Sequence, residues 1–215
     1  MIKRDAKMKK IILLISFLLL FVIQSISAQS KISFSLGGGY ISSAIDKTKL
    51  PYWENGYLIS VSSDYKILEK IALFVSSSYQ KYLFNESLLT IAVPQVVGYR
   101  YSVSGENSSV IELSAGGKFY LSTSRIRPYL GIGVGALFIE QGKVEITNWM
   151  EGSSNKSTGL YANTGKNNTL AQFNFGLGLE IQLIDNFQLV LDGKLISGFG
   201  GPSYLPLTAS IKYSL

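Results

Sequence analysis

From Ala171 to Leu183 the chain alternates without a break: Ala171, Phe173, Phe175, Leu177, Leu179, Ile181 and Leu183 are separated by Gln172, Asn174, Gly176, Gly178, Glu180 and Gln182. Successive side chains of a strand point to opposite faces, so this segment has one apolar wall and one wall that is polar or bare of side chains. A strand of that kind stands between an apolar phase and water. The same pattern closes the chain, with Leu205, Leu207, Ala209, Ile211, Tyr213 and Leu215 set against Thr208, Ser210, Lys212 and Ser214.

The N-terminus follows a different plan. Lys3, Arg4, Lys7, Lys9 and Lys10 precede an apolar run from Ile11 to Ile23, and Ser25-Ile26-Ser27-Ala28 offers small residues for cleavage. That is the layout of a secretory signal peptide over residues 1–28. The run of 13 residues falls short of the roughly 20 that a membrane-spanning helix needs. The signal holds five of the 20 Lys and Arg residues and one of the 14 Asp and Glu residues, leaving 15 against 13. The basic balance of the whole chain therefore says little about partners, and no clustered positive face points to nucleic acid. Residues 29–215 contain no linker-like stretch and are read as one domain. Cysteine is absent, which excludes disulfides and lipid attachment at an N-terminal Cys, so only the fold can hold the chain in a membrane.

Further strands are expected at Lys31–Tyr40, Tyr57–Tyr65, Ile71–Tyr82, Val110–Leu121, Pro128–Glu140 and Phe187–Ile196. Connections alternate between short turns, near Lys66–Lys70, Ser122–Arg125 and Asp185-Asn186, and longer segments such as Ser42–Asn55 and the unpatterned, polar stretch Thr147–Asn168. Transmembrane barrels alternate periplasmic turns with longer outer loops in this way. The segment Leu88–Ser102 also alternates but contains Pro94, which cannot donate to a ladder. The expected architecture is all-β, an antiparallel up-and-down transmembrane barrel of eight strands. Part of Leu88–Ser109 then forms an extension above the membrane; ten strands is the alternative.

With its signal, the run Arg127-Pro128-Tyr129-Leu130-Gly131-Ile132-Gly133-Val134-Gly135, the Phe173–Leu183 alternation and the apolar C-terminal strand, the chain resembles the small outer-membrane β-barrel family of Gram-negative bacteria. That family comprises porin-like and OmpA-like N-terminal barrels. The resemblance implies residence in the outer membrane among its lipids and lipopolysaccharide, insertion by the barrel-assembly machinery, and a monomer. It is specific for architecture and silent on activity.

Aromatics near strand ends suggest interfacial girdles. Tyr65, Phe119, Tyr120, Tyr129, Phe187 and Tyr213 fall beside short turns, and Tyr40, Tyr52, Trp53, Tyr57, Tyr82, Phe138 and Trp149 beside long loops. On the polar faces Asp64, Arg100, Glu112, Lys118, Glu180, Asp192, Lys194 and Lys212 would point into the lumen. An eight-stranded interior is just wide enough for side chains to fill, and opposite charges there should pair into a plug; a selectivity ring or proton path is the other use of such charges.

No pattern calls for a metal or organic cofactor. Gly131-x-Gly133-x-x-Ala136 imitates a dinucleotide fingerprint but lies within a strand with no following helix. Histidine is absent, so a Ser-His-Asp arrangement cannot be built and an enzyme is not expected. Four readings stay open: a structural or surface-interaction barrel using its long loops, a narrow pore for small solutes, a His-free enzyme, and a secreted lipocalin-like binder with its apolar face inward.

Overall fold

The computed structural model of the chain describes residues 31–42, 53–92, 97–161, 164–201 and 203–215. The expected signal peptide, the centre of the Ser42–Asn55 connection and Pro94 lie outside the described residues. In chain order the strands are β1 (Ile32–Ser42), β2 (Trp53–Leu68), β3 (Ile71–Phe84), then helix α1 (Glu86–Ala92), followed by β4 (Tyr99–Gly105), β5 (Ser108–Tyr120), β6 (Ile126–Glu140), β7 (Val144–Met150), β8 (Lys156–Leu160), β9 (Asn167–Ile184), β10 (Phe187–Gly198) and β11 (Ser203–Ser214).

Eight strands close into a barrel in the order β1-β11-β10-β9-β6-β5-β3-β2, all pairs antiparallel. Closure joins the first and last strands, from Ser33 opposite Ser214 to Ser42 opposite Leu205. The barrel sheet therefore has no free edge, the condition for backbone polar groups to survive in hydrocarbon. The alternation read in Ala171–Leu183 sets the faces. Leu177 is 57% exposed on the outside, whereas Asn174 is 1% exposed within. Leu36, Ile59, Val75, Leu113, Val134 and Ile211 are also exposed, making an apolar outer wall. A closed barrel with that wall spans a membrane. At its short-turn end Tyr65, Phe119, Phe187 and Tyr213 are exposed, and the last two rings lie 5.0 Å apart; Tyr40, Tyr57 and Phe138 are exposed toward the other end.

The segment Leu88–Ser109 contributes α1 and β4 outside the eight-stranded barrel, the extension that the eight-strand reading expects, while two local patterns in the outer region read differently from the sequence. The alternation in Leu88–Ser102 does not make a continuous strand. Asn85 starts a helix there, its side-chain oxygen accepting from the Ser87 amide at 2.9 Å, and only Tyr99 onward is extended. A side-chain acceptor at the N-cap satisfies an amide that the first turn leaves open, so this local signal overrides a short period-two pattern. The stretch Thr147–Asn168 is likewise no structureless loop, because β7 and β8 pair there, and β4 joins them in a three-stranded sheet. Every residue of β8 is exposed, so it shows no alternation to read. Backbone pairing, a Thr147–Thr158 hydroxyl contact of 2.8 Å and the Lys156 ammonium 4.9 Å from the Trp149 ring centroid hold it in place.

Candidate functional site

The lumen is where the polar faces converge, and it is layered. Nearest the short turns, Lys212 Nζ donates to Asp64 Oδ2 at 2.6 Å and to Glu180 Oε1 at 2.7 Å. Lys118 Nζ donates to the same Asp64 oxygen at 2.8 Å, and Arg127 binds Glu180 Oε2 at 3.1 Å and Gln188 Oε1 at 2.9 Å. Tyr120 completes the network by donating to Glu180 Oε1 at 2.9 Å. Three cations thus share two carboxylates. Burying such charges is tolerable only when they are paired and their remaining hydrogen-bonding capacity is met. Asp64 Oδ1 is the exception, buried without a hydrogen bond among the described residues.

Above this network Tyr129 donates to Asp192 Oδ1 at 3.1 Å, and Asp192 faces Lys194 across 3.7 Å. Tyr129 stands opposite Gly178 in the β6–β9 register, and a Cβ at Gly178 would collide with its ring. The glycines on the inner face of β9 therefore supply the room in which the ring lies. One ring higher, Glu112 accepts from Ser78 at 2.9 Å, Gln80 at 3.1 Å and Gln172 at 3.5 Å, with no cation beside it among the described residues.

The long-loop end is apolar. Ile41, Leu58, Val110, Leu137, Ile139 and Ile196 line it, with Tyr82 and Tyr204 in edge contact at 5.9 Å. Leu89 of α1, Val103 of β4 and Val144 of β7 join the same cluster, so the outer helix and sheet pack onto the barrel mouth. Trp53 belongs here too, 2% exposed and donating its indole N–H to the Glu106 carbonyl at 2.9 Å.

Glu112, Lys118, Glu180, Asp192, Lys194, Lys212 and Asp64 all lie inside the barrel, in three separate groups rather than one. Arg100 does not join them. It sits on exposed β4 and pairs with Glu151 at 2.7 Å, a contact that holds the Glu151 carboxyl below its ordinary range. Several aromatics also differ from the girdle expectation. Tyr129 (3% exposed), Tyr120, Tyr82 and Trp53 are interior, and Trp149 lies in the outer sheet under Lys156. The reason is parity. Phe119 and Tyr120 are neighbours in one strand and must face opposite sides, so only Phe119 meets the outside. Arg127 was not among the expected lumen charges, yet it shares parity with Tyr129 and Gly131 on the inner face of β6, a signal present in the sequence.

No protein-family model matches the chain, and no curated protein matches it. Solved structures do. The N-terminal β-barrel domain of Pseudomonas aeruginosa OprF is similar with a TM-score of 0.47 and 15% identity, over 86% of this chain and 98% of that one. The attachment invasion locus protein Ail of Yersinia pestis matches with a TM-score of 0.47 and 13% identity, over 87% and 100%. The outer membrane protein OprG of Pseudomonas aeruginosa matches with a TM-score of 0.49 and 11% identity, over 87% and 98%. These are small outer-membrane barrels, and the likeness is one of fold, which the strand order above establishes independently.

Proposed function

We propose that the protein is an integral outer-membrane barrel that does not conduct, with a structural or surface-interaction role carried by its long-loop end. The observation that supports this is double closure of the lumen. The ion network of Asp64, Lys118, Arg127, Glu180 and Lys212 fills the short-turn end at hydrogen-bond distances, and the apolar cluster around Tyr82 and Tyr204 fills the mouth. An eight-stranded interior has little space beyond what such side chains occupy. What remains accessible outside is the β4-β7-β8 sheet, with its exposed Arg100–Glu151 and Lys156–Trp149 pairs. Outer-membrane lipids and lipopolysaccharide are the environment in this reading, the barrel-assembly machinery inserts the chain, and the protein acts as a monomer without catalytic chemistry.

Planar-bilayer recordings of the purified protein test it. No stable single-channel steps are expected. Well-defined steps whose ion selectivity changes in Lys194→Glu would replace the closed barrel with a narrow pore.

A further inference from the structure

Beyond the mouth, the wall formed by β5, β6 and β9 continues as the outer sheet. Strand β4 leads into β5 and β6 into β7, and the connections remain bonded to one another. The Glu106 amide donates to the Lys143 carbonyl at 2.8 Å, and the Gln141 amide to the Lys166 carbonyl at 3.1 Å. The sheet face bearing Val103, Val144 and Ile146 turns inward onto the cluster that closes the mouth. The opposite face looks away from the barrel axis. Among the rows that cross it, one places Arg100, Trp149 and Lys156 side by side, and another Ser104, Glu145 and Leu160.

The two edges of this sheet differ. Helix α1 packs beside β4, with Leu89 and Val103 in one cluster. Strand β8 pairs only with β7 among the described residues, and all its side chains are exposed. The Tyr161 amide donates to the Val144 carbonyl at 2.8 Å, and bonded pairs alternate along an antiparallel ladder. By that alternation the backbone groups of Lys156, Thr158 and Leu160 point away from β7. Proteins blunt such an edge with proline, a bulge or repeated charge. Strand β8 contains no proline, keeps an unbroken register with β7, and carries Lys156 as its one charge.

We propose that β8 pairs antiparallel with β8 of a second copy of this chain, held in a facing membrane; the proposal rests on the surface-interaction reading above and names its partner. All five residues of β8 pair when Thr158 lies on the two-fold axis, which sets Lys156 opposite the partner's Leu160. The outward backbone groups then meet as bonded pairs and exchange about six hydrogen bonds. On the outer face, the row ending in Glu145 and Leu160 runs on into the partner's Lys156 and Trp149. Glu145, which has no ion pair among the described residues, then lies two interstrand spacings, about 10 Å between backbones, from the partner's Lys156. Two extended side chains span that gap over Leu160. Symmetry repeats the contact, so the surface complements itself as a two-fold interface requires. The axis of an antiparallel pair is perpendicular to its sheet, and the normal to a barrel wall is perpendicular to the barrel axis. The two barrels therefore point in opposite directions, into facing membranes, and copies side by side in one bilayer cannot form this pair. Each contact is small, and many between two surfaces add by avidity.

The test places the protein at one copy per lipid nanodisc and follows sedimentation velocity over rising concentration, with electron microscopy of the particles. Wild-type discs should pair face to face, in a fraction that grows with concentration. Lys156→Glu and Glu145→Lys each set like charges at both symmetric contacts, and each alone should weaken pairing about tenfold. Mixed one to one, the two variants should pair as the wild type does, because each then meets opposite charge at both contacts. Thr158→Pro removes an outward amide and should also weaken pairing. Single wild-type discs at every concentration, barrels associated side by side, or a mixture that pairs no better than either variant would each overturn the proposal. So would slow amide exchange at Thr158 in unpaired discs, which would show the edge already covered by the chain itself. The wild-type measurements decide the matter even if a variant fails to fold. None of these outcomes changes conductance, so the closed-barrel reading stands or falls separately in the bilayer recordings.

Discussion

Replacing Lys212 with methionine keeps the aliphatic bulk of the side chain and removes the ammonium that bridges Asp64 and Glu180 at 2.6 and 2.7 Å. Deleting one partner of a buried ion pair costs about 3–5 kcal/mol, because the remaining charge is left desolvated. Here neither carboxylate is wholly abandoned. Asp64 retains Lys118 at 2.8 Å, and Glu180 retains Arg127 at 3.1 Å and the Tyr120 hydroxyl at 2.9 Å. The loss should therefore fall at the lower end, about 3 kcal/mol, or roughly two orders of magnitude in the folding equilibrium. Tyr120→Phe removes a single hydrogen bond to a charged acceptor and should cost less, about 1.5 kcal/mol. Reversible urea unfolding in lipid vesicles, followed by tryptophan fluorescence and by the heat-dependent gel mobility of the folded barrel, measures both. Adding Glu180→Gln to Lys212→Met should give a total smaller than the sum of the two single losses, because the groups share one network. If Lys212→Met stays within about 0.5 kcal/mol of the wild type, the scale of an ordinary surface change, the buried network does not hold the barrel together and the reasoning fails.

Leu177→Arg places a cation on the outer wall near the middle of the barrel and should weaken insertion by about 2–4 kcal/mol, whereas Leu177→Ala should be mild; equal folding yields of the two variants in vesicles would mean that this wall does not face lipid. Gly178→Ala pushes a methyl group into the Tyr129 ring and should destabilise by about 1–3 kcal/mol, with most of the loss abolished in a Tyr129→Leu background; an unchanged loss in that background would dissociate the glycine from the ring. In the outer sheet, the hydrogen bond from Arg100 lowers the Glu151 carboxyl, so their mutual stabilisation is present above the ordinary carboxylate range and disappears as pH falls through the lowered value. Carbon-detected NMR titration should show Glu151 returning to the ordinary range in Arg100→Gln, and an identical titration in both proteins would rule the contact out in solution.

Period-two patterning made the barrel legible in the chain, because a wall between an apolar phase and a polar lumen imposes the same alternation on every strand crossing it. Leu177 outside and Asn174 inside follow from neighbouring letters alone, as do the inner positions of Glu180 and Lys212. The pattern carries no information where both faces of a strand meet water, so β8 was invisible, and it misleads where a cap such as Asn85 makes a helix out of an alternating segment. Which lumen charges meet was likewise beyond one dimension. Lys212 and Asp64 are brought to 2.6 Å across 148 residues by the closure of β1 on β11 and the pairing of β1 with β2. Asp192 and Lys194, two residues apart on one inner face and so about 6.6 Å apart along the strand, pair at 3.7 Å, a contact that the strand period alone allows. Sequence thus determined which way each side chain points, a local property of the backbone. Tertiary closure decided what each one touches, leaving Glu112 without a cation among the described residues.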